Sequence, residues 1–197
     1  MKYTAAALCL ISATLSLAAP TTKVATRDAS NAAGFALPSI IKNHDVTSNL
    51  NTQDVQTATV RNGGIETSTL YDIPISADLQ GRTCGLVFRA ANIGNGDNVL
   101  GEQALDIFRN GFQDLAALYE GNLRDTQLAR IRFDAASGFY QFDEQAIVPA
   151  IREFPCPAGG VLHWESVAVG EFDINVVKQD FVFDGQNVPN GISVAWW

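Results

Sequence analysis

The sequence predicts an all-β protein, with a single antiparallel β-sandwich over residues 55–197. Two observations predict it. Short segments of alternating apolar and polar residues recur along this region, and such alternation gives a strand one face for the core and one for solvent. Turn-forming residues separate these segments at short intervals, as in antiparallel sheets. A sheet with one apolar face buries that face against a second sheet, which gives a sandwich.

The N-terminus predicts a signal peptide over residues 1–18 of the 197-residue chain. Lys2 supplies a positive start, an apolar stretch of about 15 residues follows, and small residues at Ser16 and Ala18 suit a signal peptidase. An uncleaved membrane anchor is the alternative, but it needs roughly 20 apolar residues to cross a bilayer. We therefore expect a secreted protein, located outside the cell or in the cell wall.

Residues 19–54 predict a flexible polar tail or a pro-segment, because Thr, Ala, Asn, Ser and Asp dominate them. One apolar island at residues 35–41 interrupts this composition. The alternative is that the island forms a first edge strand, since its Pro38 is tolerated in a sheet mainly at an edge.

The predicted sandwich begins with a hairpin. Residues 55–61 and 65–75 flank Asn62-Gly63-Gly64, and Asn and Gly accept the positive φ that a tight turn requires. The strand that follows, residues 81–90, alternates most regularly. Its predicted inward residues are Cys84, Leu86, Phe88 and Ala90. The pattern is that of a strand with one continuous apolar face.

Further alternating segments complete the sandwich. Ile131 and Phe133 are predicted to face the core, whereas Arg130 and Arg132, which alternate with them, are predicted to face solvent. Later residues predicted inward are Leu162, Trp164, Phe172, Ile174, Val176, Ile192, Val194 and Trp196; those predicted outward are His163, Glu165, Glu171, Asp173, Asn175 and Trp197. Residues 105–119 fit both a strand and a helix spacing, and we expect a strand through Phe108 and a loop or short helix after Gly111.

Charge and cysteine content narrow the function classes. The formal net charge is −8, and removal of Lys2 with the signal peptide makes it −9, so nucleic acid and anionic membranes are poor partners. Cys9 leaves with the signal peptide, which makes Cys84 and Cys156 the remaining pair. The oxidising secretory route favours a disulfide between them over two reactive thiols.

Several segments in this order resemble the C-terminal domain of the fungal But-two protein. They are Leu70–Pro74, Gly81–Phe88, Leu105–Phe108, Asn122–Arg130, Phe154–Gly159 and Val176–Asp180. The most specific pieces are Gly-X-Thr-Cys, which ends at Cys84, and Phe-Pro-Cys-Pro, which contains Cys156. The resemblance covers residues 70–194.

The resemblance implies a small secreted fungal protein of β character whose two cysteines are the family's pair. It implies no catalytic residue and no cofactor. The namesake binds an activating enzyme of the ubiquitin-like modifier pathway inside the cell, which a signal peptide argues against here. Many relatives carry a further cysteine near the end, where this chain has Trp196 and Trp197.

Motifs for catalysis or metal binding are sparse. His163 and Glu165 share one strand face and could form a proton-transfer pair or a solvated surface. Glu171 with Asp173, and Asp143 with Glu144, are the visible carboxylate pairs that a glycosidase would require. The loop of residues 92–98 could offer oxygens to calcium but has one carboxylate, so an Asn/Gly turn is the simpler interpretation. We expect no metal and no cofactor.

Recognition is the remaining class. Tyr140 and Trp197 are candidate ligand-binding aromatics, together with His163 and Glu165 as polar candidates. Our first hypothesis is a non-catalytic extracellular binding or structural protein, whose partner is a cell-wall or host glycan or an extracellular protein. The second is a secreted polysaccharide hydrolase with paired carboxylates, and the third is binding of an intracellular modifier enzyme.

Overall fold

A computed structural model describes residues 28–197, which form an antiparallel all-β fold. The strands are β1 (Gly34–Ala36), β2 (Ile40–Asp45), β3 (Leu50–Asn51), β4 (Thr57–Thr59), β5 (Arg61–Asn62), β6 (Glu66–Pro74), β7 (Thr83–Arg89), β8 (Asn98–Val99), β9 (Ala104–Asn110), β10 (Arg124–Asp134), β11 (Phe139–Phe142), β12 (Phe154–Pro155), β13 (Val161–Val169), β14 (Asn175–Lys178) and β15 (Gly191–Trp196). Two 3-10 turns, Ala29–Asn31 and Ala77–Leu79, are the helical elements of this part of the chain, and neither has the length or apolar character of a membrane span.

Twelve strands form one sheet that curls into a half-barrel. Its order is β1-β15-β7-β11-β10-β9-β13-β6-β2-β3, with β12 added to β7 and β5 added to β6. A three-stranded sheet, β4-β14-β8, faces it. Residues of both sheets share one core, which includes Ala58, Val99 and Val177 from the smaller sheet. The predicted sheet-on-sheet burial is therefore confirmed, with one sheet much larger than the other.

The strand period predicted the central elements correctly. Cys84, Leu86, Phe88 and Ala90 of the β7 region all lie in the main core. The Asn62-Gly63-Gly64 turn joins β5 to β6, with Arg61 paired to Thr67. Each of these features depends on residues close together in the sequence, so local pattern is sufficient to place them.

The tail prediction is wrong for its described part, residues 28–54. The apolar island is split, because Phe35 in β1 pairs with Ala195 of β15, whereas Ile41 in β2 pairs with Tyr71 of β6. β1 is an edge strand, as the alternative interpretation required, but β2 lies inside the sheet between β6 and β3. Residues 19–27 and the signal peptide prediction lie outside the described residues.

The polar composition of β2 is the reason that the sequence did not predict a buried strand there. Lys42 and His44 are buried, and the Lys42 ammonium donates to the carbonyl oxygens of Ala116 and Leu118 at 3.0 and 3.2 Å. His44 Nδ1 lies 2.7 Å from Asn51 Oδ1. Buried polar groups are tolerated when they find such partners. A polar composition therefore does not require an unpacked segment here.

The segment between β9 and β10 is irregular, as expected after Gly111. It covers the second face of the large sheet. Phe112 and Leu115 form a small second core with Leu70 of β6. The main-chain N–H of Leu115 donates to Asp72 Oδ2 at 3.3 Å. We call residues 111–123 the covering loop.

Cys84 and Cys156 are joined by a disulfide across 72 residues of sequence. Cys84 lies on β7, and β12 pairs with β7 directly beside it, Phe154 with Cys84. Removing the crosslink frees the intervening loop in the unfolded chain, which costs about 4 kcal/mol in the chain-entropy account.

We predict that the double variant Cys84→Ala/Cys156→Ala loses about 4 kcal/mol of unfolding free energy, because the unfolded chain regains that entropy. Denaturant unfolding of the variant and the wild type gives the value. Wild-type protein kept reduced should match the variant. An unchanged unfolding midpoint in both samples would show that the crosslink contributes nothing to stability.

Candidate functional site

Glu165, predicted to face solvent, is fully buried. Its strand β13 lies between β6 and β9, and Glu165 is paired with Leu70 on one side and Phe108 on the other. The covering loop lies over this face. The outward prediction was wrong because a loop distant in sequence closes the face that the alternating pattern assigned to solvent.

Five donors satisfy the Glu165 carboxylate. Ser68 Oγ, Asn122 Nδ2 and Arg124 Nη2 donate to Oε1 at 2.6, 3.0 and 2.8 Å. Arg124 Nε and Asn110 Nδ2 donate to Oε2 at 2.9 and 3.0 Å. A carboxylate so engaged has no oxygen left for substrate, and its bonds to Asn122 and Arg124 fix the end of the covering loop.

The ionised form of Glu165 is favoured despite burial. Burial acts to raise the pKa of Glu165, but hydrogen bonds from Arg124 and Ser68 outweigh it, so the pKa lies below its usual value of 4.5. The same pairing raises the pKa of Arg124. Glu165 and Arg124 therefore form a permanent ion pair at neutral pH.

His163 does not pair with Glu165. Its Nδ1 lies 2.6 Å from Asp72 Oδ1, and its ring contacts Phe112 edge to face at 4.9 Å between centroids. Asp72 also holds the Leu115 main chain. Both polar candidates therefore support the covering loop, and neither the proton-transfer pair nor the solvated surface describes them.

The two aromatic candidates, in contrast, meet at one cavity. Tyr140 on β11 and Trp197 after β15 both line a pocket of about 270 Å³. The described residues that line it are Asp28, Ala29, Leu86, Val87, Phe88, Phe139, Tyr140, Gln141, Phe142, Arg152 and Trp197. We call it the aromatic pocket. Tyr140 itself belongs to the core, with its ring 4.6 Å from that of Phe88, so its contribution is to one wall.

The pocket exists because β7 and β11 separate. They pair at one position, Phe139 with Arg89. Next to this pair, the main-chain N–H of Ala90 donates to the carbonyl oxygen of Gly138. Farther along the same edge of β7, Leu86 N–H donates to the carbonyl oxygen of Ile151 instead. The aromatic pocket lies between these two attachments and is bounded by them along the strand.

Gly85 of β7 allows the opposite wall to approach. A Cβ at this position would collide with the main-chain oxygen of Arg152 and lie 3.2 Å from Cζ3 of Trp197. The main-chain N–H of Trp197 donates to the carbonyl oxygen of Thr83 at 3.0 Å, which continues the pairing of β15 with β7. The C-terminal tryptophan is thus packed against the sheet.

Charges of both signs lie around the pocket. Arg152 forms an ion pair with Glu144, and its guanidinium lies 5.3 Å from the Phe142 ring centroid. Asp28 lies at the rim, where a hydrogen bond from the Ser30 main chain lowers the pKa of its carboxyl. The guanidinium of Arg89 lies 5.7 Å from the Phe139 ring centroid.

The carboxylate pairs expected for a glycosidase are placed differently from the prediction. Glu171 and Asp173 lie in the connection between β13 and β14 and are exposed, so they do not share a strand face. The strand phase there was also wrong, since Asn175 is buried and Ile174 is exposed. Glu144 pairs with Arg152, and Asp143 lies 3.2 Å from Arg132.

The loop of residues 92–98 is stabilised by its own carboxylate. Asp97 is buried and accepts from the main-chain N–H of Asn92 and Lys178 and from Asn190 Nδ2. These are protein donors, and they fit an Asn/Gly turn. Within residues 28–197 the structure contains no group of three His, Cys, Asp or Glu side chains arranged to hold a metal ion.

Sequence reasoning named two of the pocket residues and missed the others. Phe139, Gln141 and Phe142 surround Tyr140 in a Phe-Tyr-Gln-Phe run, which is the one local signal for an aromatic site. Asp28 lay in the expected tail, and Arg152 in a segment without strand pattern. Their convergence depends on strand order, which local pattern does not reveal.

The fold and pocket define the class: an all-β protein with one disulfide and a small aromatic cavity between two separated strands. Comparison of the chain with known protein families, with curated proteins and with solved structures gave no match.

We predict that Glu165→Gln lowers the unfolding free energy by about 3 kcal/mol at neutral pH, because it leaves the Arg124 charge half-buried without its partner. The depressed pKa of Glu165 means that the carboxylate stabilises the fold above its unfolded value of 4.5, and that this contribution is lost as pH falls through the folded pKa. Wild type should therefore lose more stability than the variant between neutral and acidic pH.

Denaturant unfolding over a pH series measures this difference. Asp125→Asn is the matched control, because it removes a carboxylate that pairs with Arg109 at the exposed surface and should change stability little. Parallel stability curves for wild type and Glu165→Gln below pH 4.5 would contradict the assignment of a depressed pKa to Glu165.

Proposed function

We propose that this protein is a secreted, non-catalytic binding protein and that the aromatic pocket is its ligand site. One observation carries the proposal: the aromatic candidates Trp197 and Tyr140 line the same cavity, with polar groups of Gln141 and Asp28 beside them. Small-ligand sites have this composition, an apolar lining with few polar groups that fix orientation. The signal-peptide pattern and the disulfide support an extracellular location.

The chemistry of the lining favours binding over catalysis. Among the described residues, those that line the pocket include no Ser, Cys, His or Glu, and their one carboxylate is that of Asp28. Acid-base hydrolysis needs two groups with different protonation states near the same bond. Arg152, the one cation among the lining residues that the structure describes, is already paired with Glu144.

The resemblance to the But-two C-terminal domain stays part of the proposal. It predicts a β fold in which the two cysteines pair, and this chain has both features. We propose a fungal extracellular protein of that kind, whose partners are cell-wall or host glycans or extracellular proteins.

A polysaccharide hydrolase is the second candidate, and one surface favours it. Glu102, Glu171 and Asp173 line a single shallow groove beside the exposed side chains of Leu100 and Ile174. Turnover of a glycan that is lost in Glu171→Gln/Asp173→Asn, but kept when the aromatic pocket is altered, would establish this candidate in place of the first.

We predict that protein purified from culture supernatant begins at Ala19 and has no free thiol until it is reduced. Intact mass before and after reduction and alkylation measures both features, because cleavage after Ala18 removes Cys9 and leaves one cysteine pair. Retention of the protein inside the cell, or two alkylatable thiols without reduction, would overturn the secreted location and revive binding of an intracellular enzyme.

We predict that Trp197→Ala weakens ligand binding at least about tenfold, because it removes one aromatic wall of the pocket. Binding is measured on an array of fungal and plant glycans and a panel of extracellular proteins. Trp197→Phe should keep most of the affinity. Tyr119→Ala, which removes an exposed aromatic ring outside the pocket, should keep all of it.

Stability of each variant is measured alongside, since Trp197 also packs against Gly85. A folded Trp197→Ala protein that binds every ligand as wild type does would refute the aromatic pocket as the binding site.

A further inference from the structure

We propose that Asn95 is a site of spontaneous chemical modification, at which the side-chain amide is converted into aspartate and isoaspartate while the protein stays folded. The inference does not depend on what the protein binds. It comes from a comparison of the four Asn-Gly dipeptides of the chain, which the fold places in different settings: Asn62-Gly63, Asn95-Gly96, Asn110-Gly111 and Asn190-Gly191.

The reaction requires that the main-chain nitrogen after an asparagine reach the side-chain carbonyl carbon. The nitrogen attacks this carbon, a C–N bond forms, and the amide nitrogen leaves as ammonia with the proton of the attacking group. The product is a five-membered succinimide ring, which water opens at either carbonyl to give aspartate or isoaspartate. Glycine is the most permissive following residue, because it has no side chain to obstruct the attack and its backbone bends freely.

The site at Asn110 is closed by burial and hydrogen bonds. Asn110 is buried, and its Nδ2 donates to Glu165 Oε2 at 3.0 Å. The attacking nitrogen is engaged too, since the main-chain N–H of Gly111 donates to the carbonyl oxygen of Leu123 at 2.8 Å. Both reacting groups are therefore held apart by the fold.

The sites at Asn190 and Asn62 are held in other ways. Asn190 is buried, and its Nδ2 donates to Asp97 Oδ2 at 2.9 Å. Asn62 ends β5, where it pairs with Glu66 on one side and exchanges main-chain hydrogen bonds with Phe172 on the other, at 2.8 and 3.1 Å. The succinimide ring does not fit an extended main chain, so both pairings of Asn62 must open before it forms.

Asn95 differs from all three. It lies in an exposed turn between Gly94 and Gly96, outside every strand. Within residues 28–197 neither its side-chain amide nor the Gly96 N–H forms a hydrogen bond, and its main chain has one there, from its N–H to the Asn92 carbonyl oxygen at 2.8 Å. Exposed segments held this weakly open at low free-energy cost, so the ring can form without unfolding either sheet.

Modification changes both the charge and the chain path of this turn. Either product adds a negative charge two residues from the buried Asp97, whose carboxylate accepts from the main-chain N–H groups of Asn92 and Lys178. Isoaspartate also inserts one carbon into the main chain, inside the turn that the hydrogen bond from Asp97 N–H to Asn92 closes at 3.1 Å. The modified protein is therefore more acidic, and its connection from β7 to β8 is altered.

The test is to age the folded, purified protein in mildly alkaline buffer and to map the four sites by mass spectrometry after digestion at mildly acidic pH. Trypsin releases Asn95 in the peptide of residues 90–109, and fragmentation distinguishes it from Asn92 and Asn98. We expect at least about tenfold more aspartate plus isoaspartate at Asn95 than at each other site, since those sites must open first. Reduced, denatured protein is the matched control, and in it the four sites should react at similar rates.

Isoelectric focusing of aged variants gives a second measurement. Wild type and Asn62→Gln should both acquire a more acidic form, whereas Asn95→Gln should not, because the longer glutamine side chain cyclises far more slowly. The inference is overturned if another Asn-Gly site of the folded protein reacts as fast as Asn95. It is also overturned if Asn95 reacts in the denatured sample alone.

Discussion

The disulfide at Cys84 is the constraint on which the pocket depends. It fastens Cys156 to the start of β7, at the second residue of the strand, and the chain just before Cys156 runs along the same strand, with Phe154 paired to Cys84 and Ile151 bonded to Leu86. Arg152 lies between these two attachments and forms one wall. Gly85 completes the arrangement, because only a residue without a side chain lets the Arg152 main chain and the Trp197 ring come this close. A covalent bond and a missing Cβ thus place a segment that has little strand pattern of its own.

The other face of the sheet is organised by charge. Glu165 is desolvated, which is unfavourable, but Arg124 and the donors Ser68, Asn110 and Asn122 compensate it. These donors come from three separate parts of the chain, so the carboxylate fixes the covering loop relative to the sheet. An apolar residue at this position would also be buried, but it would form no hydrogen bonds that fix where the covering loop ends. We interpret Glu165 as a determinant of loop position.

The sequence predicted those parts of the fold in which local pattern and burial agree. The alternating face of β7 and the Asn62-Gly63-Gly64 turn depend on neighbours within a few residues, and both are confirmed. The alternation around Glu165 is equally regular and gave the wrong face, because period two distinguishes two faces but does not tell whether a distant loop covers the second. β2 was missed for a related reason, since the partners that make Lys42 tolerable come from the covering loop.

The pocket could not be predicted from local sequence pattern either. Trp197 and Tyr140 could be named as aromatic candidates one at a time, but their meeting depends on β15 and β11 lying on opposite sides of β7. Strand order in an antiparallel sheet depends on how the whole chain buries its apolar faces, and a single sequence does not reveal it.

The net charge of the chain affects which ligands approach the pocket. With a formal charge of −8, the protein repels anionic polymers at a distance, and salt screens that field beyond about 10 Å at moderate ionic strength. Beside the pocket, Arg152 forms an ion pair with Glu144, and the guanidinium of Arg89 lies near the Phe139 ring. An uncharged ligand gains nothing from steering, so its recognition depends on contacts at short range and on how well the walls are held beforehand. The disulfide and Gly85 fix those walls, which means that the stability of this part of the fold and the selectivity of the pocket have the same physical origin.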